Sequence, residues 1–275
     1  MELDIGAKVT LSNAVEMPVF GLGLYMSRAG DEARSAIMQA LEAGYRLIDT
    51  AAYYHNEEDV GEALRDSGVP REDVFITTKL KNSDHGYERA IAACDRSLRL
   101  MGLSYVDLYL IHWPVEGLRM ESWRALETLL EEGKCRAIGV SNYTIRHLEE
   151  LLERSSTVPA VNQVEFHPFL YQQDLLHFCR SHDIVLEAYS PLTRGRKLGD
   201  PRLAAIASKY SKTPAQILIR WVLQHEAVVI PKSVRRERII ENADVFDFSI
   251  SEEDMSALDA LNEDLHTSWD PTDAP

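Results

Sequence analysis

Eight short β-rich runs recur along this chain: "VFGLG", "YRLID", "VFITTK", "VDLYLIH", "CRAIGVS", "VNQVEF", "IVLEAYS" and "AVVIPKS". Between them lie longer stretches with helical periodicity, among them "DEARSAIMQALEAG", "GYERAIAACDRSLRLMG", "ESWRALETLLEEGK" and "TPAQILIRWVLQH". Runs that are apolar nearly throughout indicate parallel strands covered by helices on their outer face. Eight β/α units within 275 residues predict an α/β fold, the (β/α)8 TIM barrel, with residues 1–275 as a single domain. Two further short runs, "KVTLS" and "EMPVF" around "NAV", predict a β-hairpin ahead of the first barrel strand. A doubly wound sheet is the rival. Its fingerprint is missing, because "GLGLYMSRAG" supplies Gly21-x-Gly23 without the third glycine.

The ends of the runs carry the chemistry: Asp49, Lys79, His112, Ser141, Gln163, Tyr189 and Lys232. In a barrel the C-terminal strand ends surround one mouth, where active sites lie. Singly, each has a dull explanation, such as a helix cap, a surface lysine or a core histidine. Together they predict one pocket. A net charge of −15 argues against nucleic acid or an anionic membrane as partner. No apolar run approaches a membrane span, and "MELDIGAKVT" is no signal peptide, so a soluble, cytoplasmic protein is expected. Cys94, Cys135 and Cys179 fall in no metal or redox spacing and read as free structural thiols. His55 and Glu58 lack a second histidine at zinc-motif spacing, so no metal is expected. With no apolar surface helix or heptad seam, a monomer is expected.

The stretches "GYRLIDTAAYYHNEEDVG", "LIHWP", "AIGVSNY", "VNQVEFHP", "AYSPL" and "IPKSVRRERIIEN" make the chain resemble the aldo-keto reductases over essentially its whole length. The resemblance is nearest to the bacterial short-loop reductases of aldehydes, diketogluconate and methylglyoxal. It implies a catalytic tetrad of Asp49, Tyr54, Lys79 and His112. Tyr54, five residues after the aspartate, takes the family position; Tyr53 reads as a packing residue or as a neighbour just outside the site. Reducing a carbonyl leaves an alkoxide that needs a proton, and a tyrosine is a weak acid near neutral pH. An ammonium about 4 Å away can supply the roughly 2.7 kcal/mol that would lower its pKa by about two units. Lys79 is the expected ammonium, held by Asp49, while His112 is expected to orient the carbonyl oxygen and share in proton delivery. The acids Glu57, Glu58 and Asp59 need no role beyond meeting the helix dipole.

The same resemblance implies NADPH as cofactor. Ser141, Asn142 and Gln163 match the residues that bond the carboxamide, and Tyr189 matches the aromatic beneath the ring. Ser190, Pro191 and Leu192 continue the pyrophosphate side. Lys232, Ser233 and Arg238 match the grip on the 2′-phosphate, with Val234 in the same segment and Arg235 as a helper. Glu241 and Asn242 match the adenine contacts. Within an acidic chain, four cations in "KSVRRER" favour NADPH over NADH, since the arginine fork suits phosphate.

Tyr25, Trp113 and Trp269 are expected to join Tyr54 and His112 around a substrate pocket, Tyr25 standing where many relatives carry tryptophan. Short segments after "HWP" and "SPL" imply an open site for small aldehydes, dicarbonyls and keto-sugars. Two alternatives stay open: a lyase forming a Schiff base on Lys79, and an NADPH-binding regulatory protein with little turnover.

Overall fold

The computed structural model describes residues 3–274. Strands β1 (Lys8–Thr10) and β2 (Glu16–Pro18) form the expected antiparallel hairpin, pairing Lys8 with Pro18 and Thr10 with Glu16. The barrel strands are β3 (Leu22–Gly23), β4 (Leu47–Asp49), β5 (Phe75–Leu80), β6 (Val106–Ile111), β7 (Cys135–Ser141), β8 (Val161–Glu165), β9 (Val185–Tyr189) and β10 (Val228–Val229). They lie side by side in sequence order as one parallel sheet. The sheet closes on itself. Phe20 bridges Val229 in parallel, and the Gly21 N–H donates to the Val229 carbonyl at 2.9 Å. The fold is therefore the (β/α)8 barrel with its leading hairpin.

The last strand is shorter than "AVVIPKS" suggests. Ile230 still donates to the Ala188 carbonyl at 3.2 Å, but Pro231 has no N–H to extend the ladder.

The helices are α1 (Asp31–Glu42), α2 (Glu57–Ser67), α3 (Tyr87–Met101), α4 (Arg119–Glu131), α5 (Ile145–Arg154), α6 (Gln173–Ser181), α7 (Pro201–Lys209), α8 (Pro214–Gln224), α9 (Arg236–Ala243) and α10 (Glu252–Asp259). Local chemistry sets their ends. At α8, Thr213 and Gln216 exchange bonds in a capping box ahead of Pro214. In α2, Gly61 lets the backbone approach α3 closely: a Cβ there would lie 1.9 Å from the Met101 carbonyl oxygen. The acids opening α2 do more than meet its dipole. Asp59 accepts the Gly30 N–H at 2.9 Å, and buried Glu57 accepts from Thr78 Oγ1 at 2.6 Å.

Two cores result. One lies between the helices and the sheet; the other fills the barrel with Leu47, Phe75, Leu108 and Val161, with Met17 and Leu11 of the hairpin packed against them. That end is plugged, which leaves the opposite mouth for a site. The three cysteines are free and buried, and burial pushes the Cys94 and Cys179 thiols up to about 12. Among the described residues no helix is long and apolar enough to cross a membrane.

Candidate active site

The strand ends converge as the alternation predicts. Asp49 closes β4, Lys79 is the penultimate residue of β5, and His112 follows β6 directly. Lys79 is completely buried and makes three hydrogen bonds: to Asp49 Oδ1 at 2.6 Å, Asp49 Oδ2 at 2.7 Å and the Thr50 carbonyl at 2.9 Å. An ammonium has three hydrogens, so none is left for the phenol. Its Nζ instead lies 5.1 Å from the centre of the Tyr54 ring.

This corrects the expected route to an acidic tyrosine. Tyr54 is half-buried, and its pKa is pushed above the ordinary tyrosine value, first by burial and then by the negative charge of Asp49. The phenol keeps its proton firmly through neutral pH. His112 also departs from expectation. Burial first, and the Lys79 charge second, push its imidazole down to about 3. It is neutral in any ordinary buffer, so it can orient an oxygen through an N–H but brings no imidazolium proton to share.

Beside the tetrad, Ser141 closes β7 and donates from Oγ to the Gln163 carbonyl at 2.8 Å. Asn142 has a left-handed backbone (φ 62°) and donates from Nδ2 to the His112 carbonyl at 2.9 Å. Its Oδ1 accepts from the Tyr189 hydroxyl at 2.8 Å, which fixes the ring of Tyr189 at the end of β9. Gln163 donates both amide hydrogens, to Asp49 Oδ2 at 2.7 Å and to Glu187 Oε2 at 2.8 Å. Asp49 thus joins the Lys79–Tyr54 side of the mouth to the Ser141–Asn142–Gln163 side. Burial raises its carboxyl pKa, and the Lys79 ammonium and Gln163 amide pull it back.

Beyond β10 the chain carries Lys232, Ser233, Val234 and Arg235 to the start of α9. Ser233 is buried, and its Oγ accepts the Arg235 N–H at 3.1 Å, folding the segment tightly against the helix N-terminus. Lys232, Arg235 and Arg238 are exposed there, while Arg236 turns aside to Glu42 at 3.3 Å. Two arginines, a lysine and a helix N-terminus make a donor set suited to a phosphate dianion. Glu241 and buried Asn242 lie in the last turn of the same helix. The Ser190–Pro191–Leu192 turn follows Tyr189, with Ser190 also left-handed at φ 49°. The chemistry of these residues fits a phosphorylated dinucleotide.

Aromatic side chains wall the mouth. Ring centres are 5.2 Å apart for Tyr25 and Tyr54, 5.7 Å for Tyr54 and His112, and 5.1 Å for Trp113 and Trp269. Tyr53 is not a packing residue. It is 62% exposed, with its ring 6.4 Å from that of His112, and so belongs to the rim. Trp269 is 58% exposed and leans on Trp113, so it borders the mouth without sealing it.

The anchoring of the tail escaped the sequence reading. Glu165 of β8 accepts from the Thr267 N–H (2.9 Å), the Ser268 N–H (3.0 Å), the Thr267 hydroxyl and the ring of His167 (3.1 Å). Glu187 was missed as well. Both carboxylates interrupt apolar runs, "VNQVEF" and "IVLEAYS", and a charge inside such a run demands a partner. Among the described residues, no group of three or more histidines, cysteines or carboxylates could hold a metal ion.

A parallel barrel with a buried Asp–Lys pair, a tyrosine and a neutral histidine at its C-terminal mouth defines an oxidoreductase of the carbonyl-reducing kind. Comparison with known proteins agrees. The aldo/keto reductase family matches residues 20–263, and the chain belongs to that family. It is 52% identical over 271 residues to the glyoxal reductase of Bacillus subtilis, covering 98% of both chains. Among solved structures, an aldo-keto reductase from a Medee basin deep-sea metagenome library superposes with a TM-score of 0.94 at 46% identity, covering 98% of this chain and 100% of the other. An aldo-keto reductase of Bombyx mori in complex with NADP superposes with a TM-score of 0.91 at 34% identity, over 98% and 97% of the chains.

Proposed function

We propose that this oxidoreductase reduces small aldehydes and α-dicarbonyls with NADPH, and that Tyr54 gives the proton. The observation that carries the reading is the buried Lys79–Asp49 pair directly behind the Tyr54 ring, beside His112 at an aromatic-lined mouth. NADPH, when bound, supplies the hydride. Lys232, Ser233, Arg235 and Arg238 would hold its 2′-phosphate, Ser141 and Asn142 its carboxamide, and Tyr189 the face of its ring.

The rest of the chemistry belongs to the chain. The neutral His112 donates an N–H to the carbonyl oxygen and fixes its position. The Tyr54 hydroxyl donates a second hydrogen bond to the same oxygen and passes its proton across as negative charge builds there. A phenol held protonated is a ready acid toward an alkoxide, which is far more basic. The phenolate left behind is answered by the Lys79 ammonium beneath the ring, a buried and preorganised charge. The same geometry disfavours a Schiff base on Lys79, because an amine donating three hydrogen bonds has no free lone pair.

The open rim, with Tyr53 and Trp269 both exposed, suits small substrates rather than one enclosed shape. NADPH consumption should therefore be seen with glyoxal, methylglyoxal and short aldehydes alike. Saturation at low micromolar levels of one substrate, with the others rejected, would contradict an open site.

A further inference from the structure

Glu187 is a carboxyl group at the floor of the site that the chemistry above leaves unused. It lies on β9, two residues before Tyr189, with no surface exposed. Its Oε2 accepts from Gln163 at 2.8 Å, whereas its Oε1 is buried with no hydrogen-bond partner among the described residues. The other hydrogen of that amide goes to Asp49 Oδ2 at 2.7 Å. Two carboxyl groups thus share one amide, and the Lys79 ammonium is committed to Asp49 and Thr50. The groups that act on Glu187 are Asp49 from β4, Lys79 from β5 and Gln163 from β8; Tyr54 in turn feels Glu187. On its other side β10 pairs Val228 with it, which adds no charge.

An ionised Glu187 would hold a full negative charge in the buried interior, beside the like charge of Asp49. A neutral carboxyl avoids both costs. We propose that Glu187 is a positioning residue for the reduction, a neutral carboxyl that orients Gln163 and keeps a second negative charge away from Tyr54. The proposal rests on Tyr54 as proton donor. As Tyr54 releases its proton it becomes negative, and charges on Asp49 and Glu187 both oppose that change. Lys79 offsets Asp49 through their ion pair, whereas Glu187 has no ion-pair partner of its own. Reduction should therefore slow once Glu187 ionises. Burial first, and the Asp49 charge second, push the Glu187 carboxyl up to about 8, so that loss falls just above neutral pH.

The test uses the full chain, wild type against Glu187→Gln, with two readouts. Infrared difference spectra of protein without NADPH follow the C=O stretch of protonated carboxyls from about pH 6 to about pH 10. The expected band disappears with a midpoint of about 8 in the wild type and is missing from Glu187→Gln. Then kcat for NADPH-dependent reduction of glyoxal is followed over the same range. About one unit above the midpoint the wild type should keep roughly a tenth of its plateau rate, while Glu187→Gln shows no fall there. An identical fall in both proteins, or no titrating band in the wild type, overturns the proposal. If Glu187→Gln does not fold, Glu187→Asp serves instead, and its band must move if the assignment is right. A wild type that reduces no carbonyl would sink the reductase reading and the positioning role with it. The infrared titration would still decide whether Glu187 is neutral.

Discussion

Asp49 answers a fully buried ammonium with both of its oxygens and takes a third bond from Gln163. Removing one partner of such a pair leaves the other charge uncompensated in the interior, which typically costs about 3–5 kcal/mol. Asp49→Ala should lose that much in denaturant unfolding, besides its activity. Asp49→Asn, which keeps an acceptor for Lys79, should lose less. A loss within experimental error for Asp49→Ala would mean that Lys79 finds another anion or sheds its proton. Asp49, Lys79 and His112 were legible in the sequence because polar residues end otherwise apolar runs, and only a barrel mouth brings those ends together. The pKa directions were not legible. They depend on Lys79 turning all its hydrogens toward Asp49 and Thr50, a choice fixed by three-dimensional packing. Glu187 was open to detection by the same rule that found Asp49, but it lies inside a run rather than at its end.

The C-terminal tail illustrates how an element without regular structure is held in place. Thr267 and Ser268 hang from the buried carboxylate Glu165, while the tail's Trp269 rests on Trp113. Glu165→Ala should free the segment, which would appear as faster hydrogen exchange at the Thr267 and Ser268 amides. KM should rise for substrates large enough to reach Trp269, with kcat for glyoxal less affected. Unchanged exchange at both amides would show that the tail's other contacts, Trp269 on Trp113 and the Arg194 bond to Ser268 Oγ among them, suffice to secure it. The strands, the hairpin and the helices α1, α3, α4 and α8 were visible in the sequence, because period and capping chemistry are local. The tail was not, since its partner lies about a hundred positions earlier, at the end of β8.

At the scale of the whole molecule, buried neutral histidines contribute to the loss of stability in acid. His85 is fully buried with neither ring nitrogen bonded, and burial followed by the Arg89 charge pushes it down to about 4; His112 is pushed down to about 3. In the unfolded chain both take up a proton near pH 6.5. Between that value and their folded pKa values the unfolded state binds more protons, so stability falls as pH drops through the window. Each group contributes a slope of about 1.4 kcal/mol per pH unit at most. Replacing His85 with leucine should remove its share, so the stability gap between wild type and His85→Leu should change steadily from about pH 6.5 to about pH 4. A gap independent of pH would show that His85 takes up its proton equally in the folded and the unfolded chain.

The barrel itself is a general scaffold, and the side chains at its C-terminal mouth specialise it. The claim on which the account turns is that Tyr54 donates the proton. The most direct test follows NADPH consumption with glyoxal for wild type and Tyr54→Phe, with NADPH binding measured separately by fluorescence. The expected result is a fall in kcat by roughly 10²–10⁴ with NADPH binding kept, the usual scale for loss of a general acid. A Tyr54→Phe enzyme that still turns over within about tenfold of wild type would contradict it, because that deficit is below what a general acid supplies.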